Sequence, residues 1–436
     1  MGINLMKLSP SFMRIKIKEA IGSEFGRVLL GFASSQLIGN LLKMIAGFII
    51  VKLVSPDIYG RFTGHGIFLG YLSLVHFGVL NGLNRELPVE QGRGNSTKVK
   101  DLASVSLWLC NVISIPASIV LFVLSIYGFY KADLNASMLN FTYAFAAFFI
   151  MYNKFYLPIL YRSNRDFSKL TKITLYSSTI NIVSVILVFV SADIKGLCLR
   201  LILINIVEFL LLYYFSPLKV KAKWSYIDFI QLIKTGFPIF IVGNIVPLWD
   251  TIKNTIIFSL GGAVQFGFFA LANVINNAVG IIPDSFSHVM YPKMAIAYGE
   301  GKSKLFVLKM NYKPMILLLT ISVIFSIVGF ALLPTIVKMF LPKYIPGIDV
   351  ALWALFVPLV TSFSLINNYF NIYQLQRLYL MGILAGVGAG GLYIFTVNYI
   401  YGFNLEMFIQ SLIFGMVVQN IICWIFIFKD LKKEVK

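Results

Sequence analysis

The chain has 436 residues, 58% of them hydrophobic and 15% aromatic, with only 13% charged, about half the charged share of a soluble domain. That composition excludes a water-soluble globular protein and points to a polytopic membrane protein. Lys and Arg outnumber Asp and Glu by 37 to 18, a formal charge of +19. The basic residues lie between apolar runs and form no interleaved aromatic-basic surface, so the excess speaks for membrane topology and not for nucleic acid.

Apolar runs long enough to cross the hydrocarbon predict an all-α protein of twelve transmembrane helices, at 28–53, 62–82, 102–129, 138–161, 170–191, 195–216, 231–260, 264–287, 312–337, 347–372, 378–399 and 405–428. The basic segment 1–27 has no small-residue cleavage site behind a short apolar core and reads as a cytoplasmic or interfacial segment, not a cleaved signal. With both termini inside, 27 of the 37 Lys and Arg fall on cytoplasmic segments, as the positive-inside rule requires.

Span 1 carries Asn40 and Lys43 within the apolar run, and span 2 carries His65 and His76. The two histidines are eleven residues apart, three turns, and share a face on a continuous helix. A proton relay competes there with satisfied packing histidines. Span 2 ends in "NGLNRELPVEQGRGN" (81–95), read as an inner helix terminus closed by Pro88. Arg85 and Glu86 point about 100° apart there, so Arg85 can face the cavity mouth while Glu86 pairs elsewhere. Span 4 adds Lys154 with Tyr143 and Tyr152, and span 6 adds Glu208. The segment 217–230, "PLKVKAKWSYIDFI", is a cytoplasmic inter-lobe linker.

Span 7 holds Asn244, Trp249, Asp250, Lys253 and Asn254. Lys253 lies one turn from Asp250, so mutual neutralisation competes with a role in binding. In span 8, Asn273, Asn277, Gly280, Asp284 and His288 form one polar face, and Asn367, Asn371 and Gln374 do so in span 10. Ionisable groups at this depth need a partner or a water-filled cavity. Gly382, Gly386 and Gly390 in span 11 read as a helix-packing face, because no Lys-Ser/Thr comes after them to make a phosphate loop. Cys110, Cys198 and Cys423 match no ligand spacing and predict no disulfide. Three histidines argue against a metal centre, and no cofactor is expected. No Ser/His/Asp or paired-carboxylate set can be assembled from aqueous segments, so the chain is not read as an enzyme.

"GFASSQLIGN" (31–40) answers "GFPIFIVGN" (236–244), and "YGRF" (59–62) answers "FGFF" (266–269). Six spans separate the copies, so the repeats share one orientation and predict two six-helix bundles about a pseudo-twofold axis, with a cavity between them. The N-lobe spans 28–216 and the C-lobe 231–428, with a cytoplasmic tail at 429–436.

Twelve spans in two halves, with "GLNRELP" at the inner end of span 2, resemble the polysaccharide flippases of the multidrug/oligosaccharidyl-lipid/polysaccharide exporter superfamily. The resemblance implies transfer of an undecaprenyl-pyrophosphate-linked oligosaccharide across the bacterial inner membrane by alternating access. A pyrophosphate suits a cavity lined by Lys43, Lys154, Lys253 and Arg85, because a flexible ammonium binds phosphate without a fixed fork geometry. Asn40, Asn244, Asp250, Asn254, Asn273, Asn277, Asp284, Asn367 and Asn371 would line the polar walls. Asp250, Asp284, Glu208 and His76 are candidates for coupling to an H+ or Na+ gradient. Expected partners are the lipid-linked sugar, the bilayer and other polysaccharide-assembly membrane proteins. A multidrug or cation antiporter of the same superfamily would favour acidic, aromatic walls over lysines. A membrane polymerase or acyltransferase would need a larger external loop than these short connections supply.

Overall fold

A computed structural model describes residues 24–435, without the side chains of 24–33, Leu37, 277–282, 284–285, 288–289, Pro292, Ala295 and 433–435. Every regular element among them is helical. In chain order these are α1 (Glu24–Leu53), α2 (Pro56–His65), α3 (Ile67–Leu72), α4 (Val79–Gly92), α5 (Ser96–Tyr130), α6 (Leu134–Ile150), a π-helical turn (Met151–Tyr156) and α7 (Leu157–Ser163). Next come α8 (Phe167–Val183), α9 (Val185–Ser191), α10 (Ile194–Tyr214), α11 (Tyr226–Gly299), α12 (Lys304–Lys309) and α13 (Tyr312–Phe340). The last are α14 (Ile348–Ala354), α15 (Val357–Thr361), α16 (Asn367–Ile372), α17 (Gln376–Tyr401) and α18 (Glu406–Val435).

Helix starts obey local chemistry. Ser55 caps α2 by accepting from the Ile58 N–H at 3.4 Å, with Pro56 at the first helical position, where its missing N–H is no loss. Asn95 accepts from Lys98 N–H at 3.1 Å and Asp133 from Ala136 N–H at 3.0 Å, each satisfying an orphan donor of the first turn.

Ten helical stretches among the described residues are long and apolar enough to cross a membrane. The difference from twelve has two sources. The expected spans 231–260 and 264–287 run together in α11, divided by a kink at Gly262 with φ 71°. The expected span 62–82 is broken into α2, α3 and α4 by a turn at Gly66 and turns at residues 73–78. Pro88 does not close the helix as expected: α4 continues through it to Gly92, since one proline removes a single backbone hydrogen bond, here on an exposed face. The break also removes the common helix face of His65 and His76. Span 10 is likewise interrupted, into α14, α15, α16 and two 3-10 turns.

Each half has its own core. Leu80, Leu83, Leu102 and Leu160 centre one in the N-terminal half, and Ile257, Ala272, Ala354 and Phe408 one in the C-terminal half. Large apolar side chains such as Val190 and Phe395 are exposed at the perimeter, as helices meeting hydrocarbon require. The glycine face of α17 packs on α18 as the spacing predicted. A Cβ on Gly382 would meet Cys423 Sγ at 2.7 Å and one on Gly386 the Gly415 carbonyl at 2.7 Å.

Candidate functional site between the halves

The two halves meet where the broken second span runs antiparallel to α11. A Cβ on Gly60 would lie 1.8 Å from the Ala263 carbonyl oxygen, and one on Gly267 would lie 1.9 Å from that of Pro56. Gly60 and Gly267 are the paired glycines of "YGRF" and "FGFF", so the internal repeat closes on itself reciprocally. Further along, Gly64 abuts Phe258 and Gly70 abuts Thr251, while the Tyr71 hydroxyl and Thr255 Oγ1 are 2.8 Å apart. A Cβ on Gly236 would meet the Gly78 carbonyl at 1.9 Å, and one on Gly82 that of Leu232 at 2.1 Å. Only hydrogen at these positions lets two helix backbones approach so closely.

The break at residues 73–78 lies within this seam and ends against Gly236. Phe77 has φ 44° and Gly78 φ 91°, and the left-handed region is natural for the glycine and strained for the phenylalanine. His76 is buried there. Its Nδ1 accepts the Gly78 N–H at 3.1 Å. Its ring stands edge-on to Phe155 of the N-terminal half and Phe240 of the C-terminal half, at 5.0 and 5.2 Å. Lys154 projects from the π-helical turn with its Nζ 5.3 Å from the Phe155 centroid, a cation–π distance. A π turn inserts an extra residue into the helix and so rotates the faces of α7 relative to those of α6. Lys154, Phe155, His76 and Phe240 therefore form a continuous polar-aromatic path across the seam, of which Phe155 and Phe240 carried no sequence signal.

Lys253 is buried and ion-paired to the half-exposed Asp250 at 2.7 Å. At the far end of the seam Glu86 accepts from Gln231 Nε2 at 3.2 Å while Arg85 is exposed, so the adjacent charges do diverge. Asn244 donates to its own helix, at Phe240 O, 2.9 Å away. Asn40 and Asn371 are exposed, and Asn254, Asn273 and Asn367 are partly buried. The side chains of Asn277, Asp284 and His288 lie outside the described residues. Asn368, which no sequence pattern marked, accepts from Ser287 Oγ at 3.0 Å and joins span 10 to span 8. Tyr143 and Tyr152 hold to their own half. Both are buried, Tyr143 donating to Phe62 O at 2.7 Å and Tyr152 to Asn111 Oδ1.

Lys43 faces elsewhere. With Glu208, Arg162 and Ser178 it lines a cleft of about 180 Å³, formed by α1, α7, α8 and α10, all within the N-terminal half.

The linker is pinned to the N-terminal half. Trp224 packs on Trp108 at 4.4 Å and on Phe229 at 4.9 Å. Lys98 pairs with Asp228 at 2.6 Å.

These features define a polytopic helical membrane protein with the fold of the multidrug/oligosaccharidyl-lipid/polysaccharide exporters. The backbone superposes on an "Inward-facing conformation of a multidrug resistance MATE family transporter of the MOP superfamily" with TM-score 0.68 and 15% identity, covering 90% of this chain and 95% of that one. The outward-facing conformation of such a transporter gives TM-score 0.59 at 14% identity, covering 94% and 97%. A MOP superfamily transporter from Pyrococcus furiosus Vc1, described as having a binding pocket of reverse polarity, gives 0.60 at 13% identity, covering 95% and 97%. No curated protein matches the sequence. Residues 49–341 match the family described as "Polysaccharide biosynthesis protein", and the chain belongs to that family.

Proposed function

We propose that the protein is a flippase. It carries an undecaprenyl-pyrophosphate-linked oligosaccharide, an O-antigen or related polysaccharide repeat unit, from the cytoplasmic to the periplasmic leaflet of a bacterial inner membrane. The observation that carries the reading is the family match over 49–341 on an exporter fold. The seam supports it. Two halves joined largely by backbone contacts through glycine, with few side-chain bonds such as Tyr71–Thr255 and Glu86–Gln231 across them and a broken helix between, can rock about that line.

The sugar-pyrophosphate is held between the halves, with Lys154 and Arg85 offsetting its charge and Lys253 shared with Asp250. The polyprenyl tail stays in the bilayer, because an aqueous cavity cannot cheaply enclose so much hydrocarbon. An H+ or Na+ gradient drives the cycle, with Asp250, Asp284, Glu208 and His76 as the groups able to couple it.

The test is mass spectrometry of lipid-linked sugars in cells lacking the protein. A repeat unit on the lipid carrier accumulates on loss and clears when the gene is restored, but not when Lys154→Ala and Arg85→Ala are combined. Unchanged lipid-linked sugars, together with altered sensitivity to cationic drugs, would replace this reading with a multidrug antiporter.

A further inference from the structure

The cleft inside the N-terminal half lies apart from the seam where the sugar is held, and only Glu208 of its lining has a part in the proposed cycle. Its lining runs from Gln36 to Leu212, so among the described residues none of the C-terminal half contributes and it is separate from the seam. It gathers three charged groups, Lys43, Arg162 and Glu208, with Thr174, Ser177, Ser178 and Asn181 among them. Among the described residues none of the three charges is ion-paired within 4.0 Å to another side chain. Ser178 is 1% exposed, and among the described residues its hydroxyl and that of Ser177 have no hydrogen-bond partner, although a buried hydroxyl left so is unfavourable.

The chemistry of the lining is selective. Lys43 and Arg162 supply an ammonium and a guanidinium, and the hydroxyls supply neutral donors, a set suited to tetrahedral oxyanions. The carboxylate of Glu208 repels an anion unless that anion brings a proton for it to accept. Phosphate monoesters and inorganic phosphate carry such a P–OH near neutral pH. Sulfate and phosphodiesters do not. A cleft of about 180 Å³ admits one phosphoryl group with a few waters.

We propose that this cleft binds a protonated phosphoryl group, with Lys43 and Arg162 donating to its oxygens, Ser177 and Ser178 completing the shell and Glu208 accepting from its P–OH. The source is inorganic phosphate or the headgroup of a lipid phosphomonoester. Arg162 and Leu212 lie at helix ends that the distribution of basic residues places on the cytoplasmic side, within reach of both.

The experiment uses the full chain purified in detergent and tracks its thermal unfolding midpoint. Inorganic phosphate raises the midpoint of the wild type while sulfate at equal ionic strength does not. Glu208→Gln abolishes that discrimination, and Ser178→Ala, which keeps all three charges, weakens phosphate binding by about fivefold, near the loss of one hydrogen bond. Lys43→Gln weakens it by about tenfold or more, as a charge-assisted bond requires. If Lys43→Gln does not fold, the comparison of Ser178→Ala and Glu208→Gln with the wild type decides. Native mass spectrometry from vesicles of phosphatidate or of phosphatidylglycerol separates the sources. Retention of phosphatidate, lost in Ser178→Ala, identifies the lipid headgroup, and stabilisation by inorganic phosphate without lipid retention identifies the free ion. Equal stabilisation of the wild type by phosphate and sulfate, no stabilisation by phosphate together with no retained phosphatidate, or equal retention of both lipids overturns the proposal.

Discussion

Lys253 and Asp250 are paired but unequal. The lysine side chain is 7% exposed and the aspartate 50%, so each is exposed to a different penalty when its partner is removed. Lys253→Gln leaves a carboxylate that is already half exposed, which is the smaller penalty. Asp250→Asn strands a buried ammonium, which is the larger. The expected result is that Asp250→Asn lowers unfolding stability by about 1–3 kcal/mol, the range for a buried group left without its partner, while Lys253→Gln changes it by less than half as much. The double variant recovers most of the loss. Midpoints from thermal unfolding in detergent check this, and equal losses for the two single variants would show that burial does not govern the pair. The spacing of these two residues made their pairing foreseeable, because i and i+3 share a helix face. The company of Lys43 was not foreseeable. Glu208 lies far along the chain, and only the packing of α1, α8 and α10 brings both to one cleft.

Elements with regular patterns were legible and their interruptions were not. The apolar runs located the long helices, and the four-residue glycine spacing located the face of α17 on α18. The breaks at residues 73–78 and within 347–372 lie inside apolar runs that read as continuous, because lipid-facing composition is the same for a straight helix and a broken one. The kink at Gly262, by contrast, falls where the apolar pattern divides spans 231–260 and 264–287, although the helix is not interrupted there by a loop. A Cβ there would meet nothing within 4 Å, yet φ is 71°, so Gly262→Ala is opposed by backbone conformation alone. It should lower stability by about 1–3 kcal/mol, whereas Gly299→Ala, also in open space but with no positive φ, should not. A comparable midpoint for both would mean that α11 straightens without penalty. The linker gives a second test at this scale. Trp108 and Trp224, with centroids 4.4 Å apart, should show a coupling of about 0.5–1.5 kcal/mol in a double-mutant cycle to Ala. Additive losses would show that the linker does not hold to α5 through this contact.

For the molecule as a whole, the seam has two ends that the distribution of basic residues assigns to opposite sides of the membrane. On that assignment Gly60 against Ala263 lies towards the external end and Gly236 against Gly78 towards the cytoplasmic end. A methyl group at either position collides with backbone, which cannot rotate aside as a side chain can, so the helices there must separate by roughly 1 Å or more. If the halves rock as rigid bodies, prising one end open compresses the other. Gly60→Ala then favours the outward-open state and Gly236→Ala the inward-open one. Cys110, Cys198 and Cys423 are all buried, so a single introduced cysteine can report on each end against a quiet background. Val264→Cys lies at the external end and Lys234→Cys at the cytoplasmic end, both at exposed positions. Gly60→Ala should speed modification at 264 and slow it at 234, and Gly236→Ala should do the reverse. Were both substitutions to speed modification at both positions, the seam would be loosening locally, and rigid rocking about it would have to be given up.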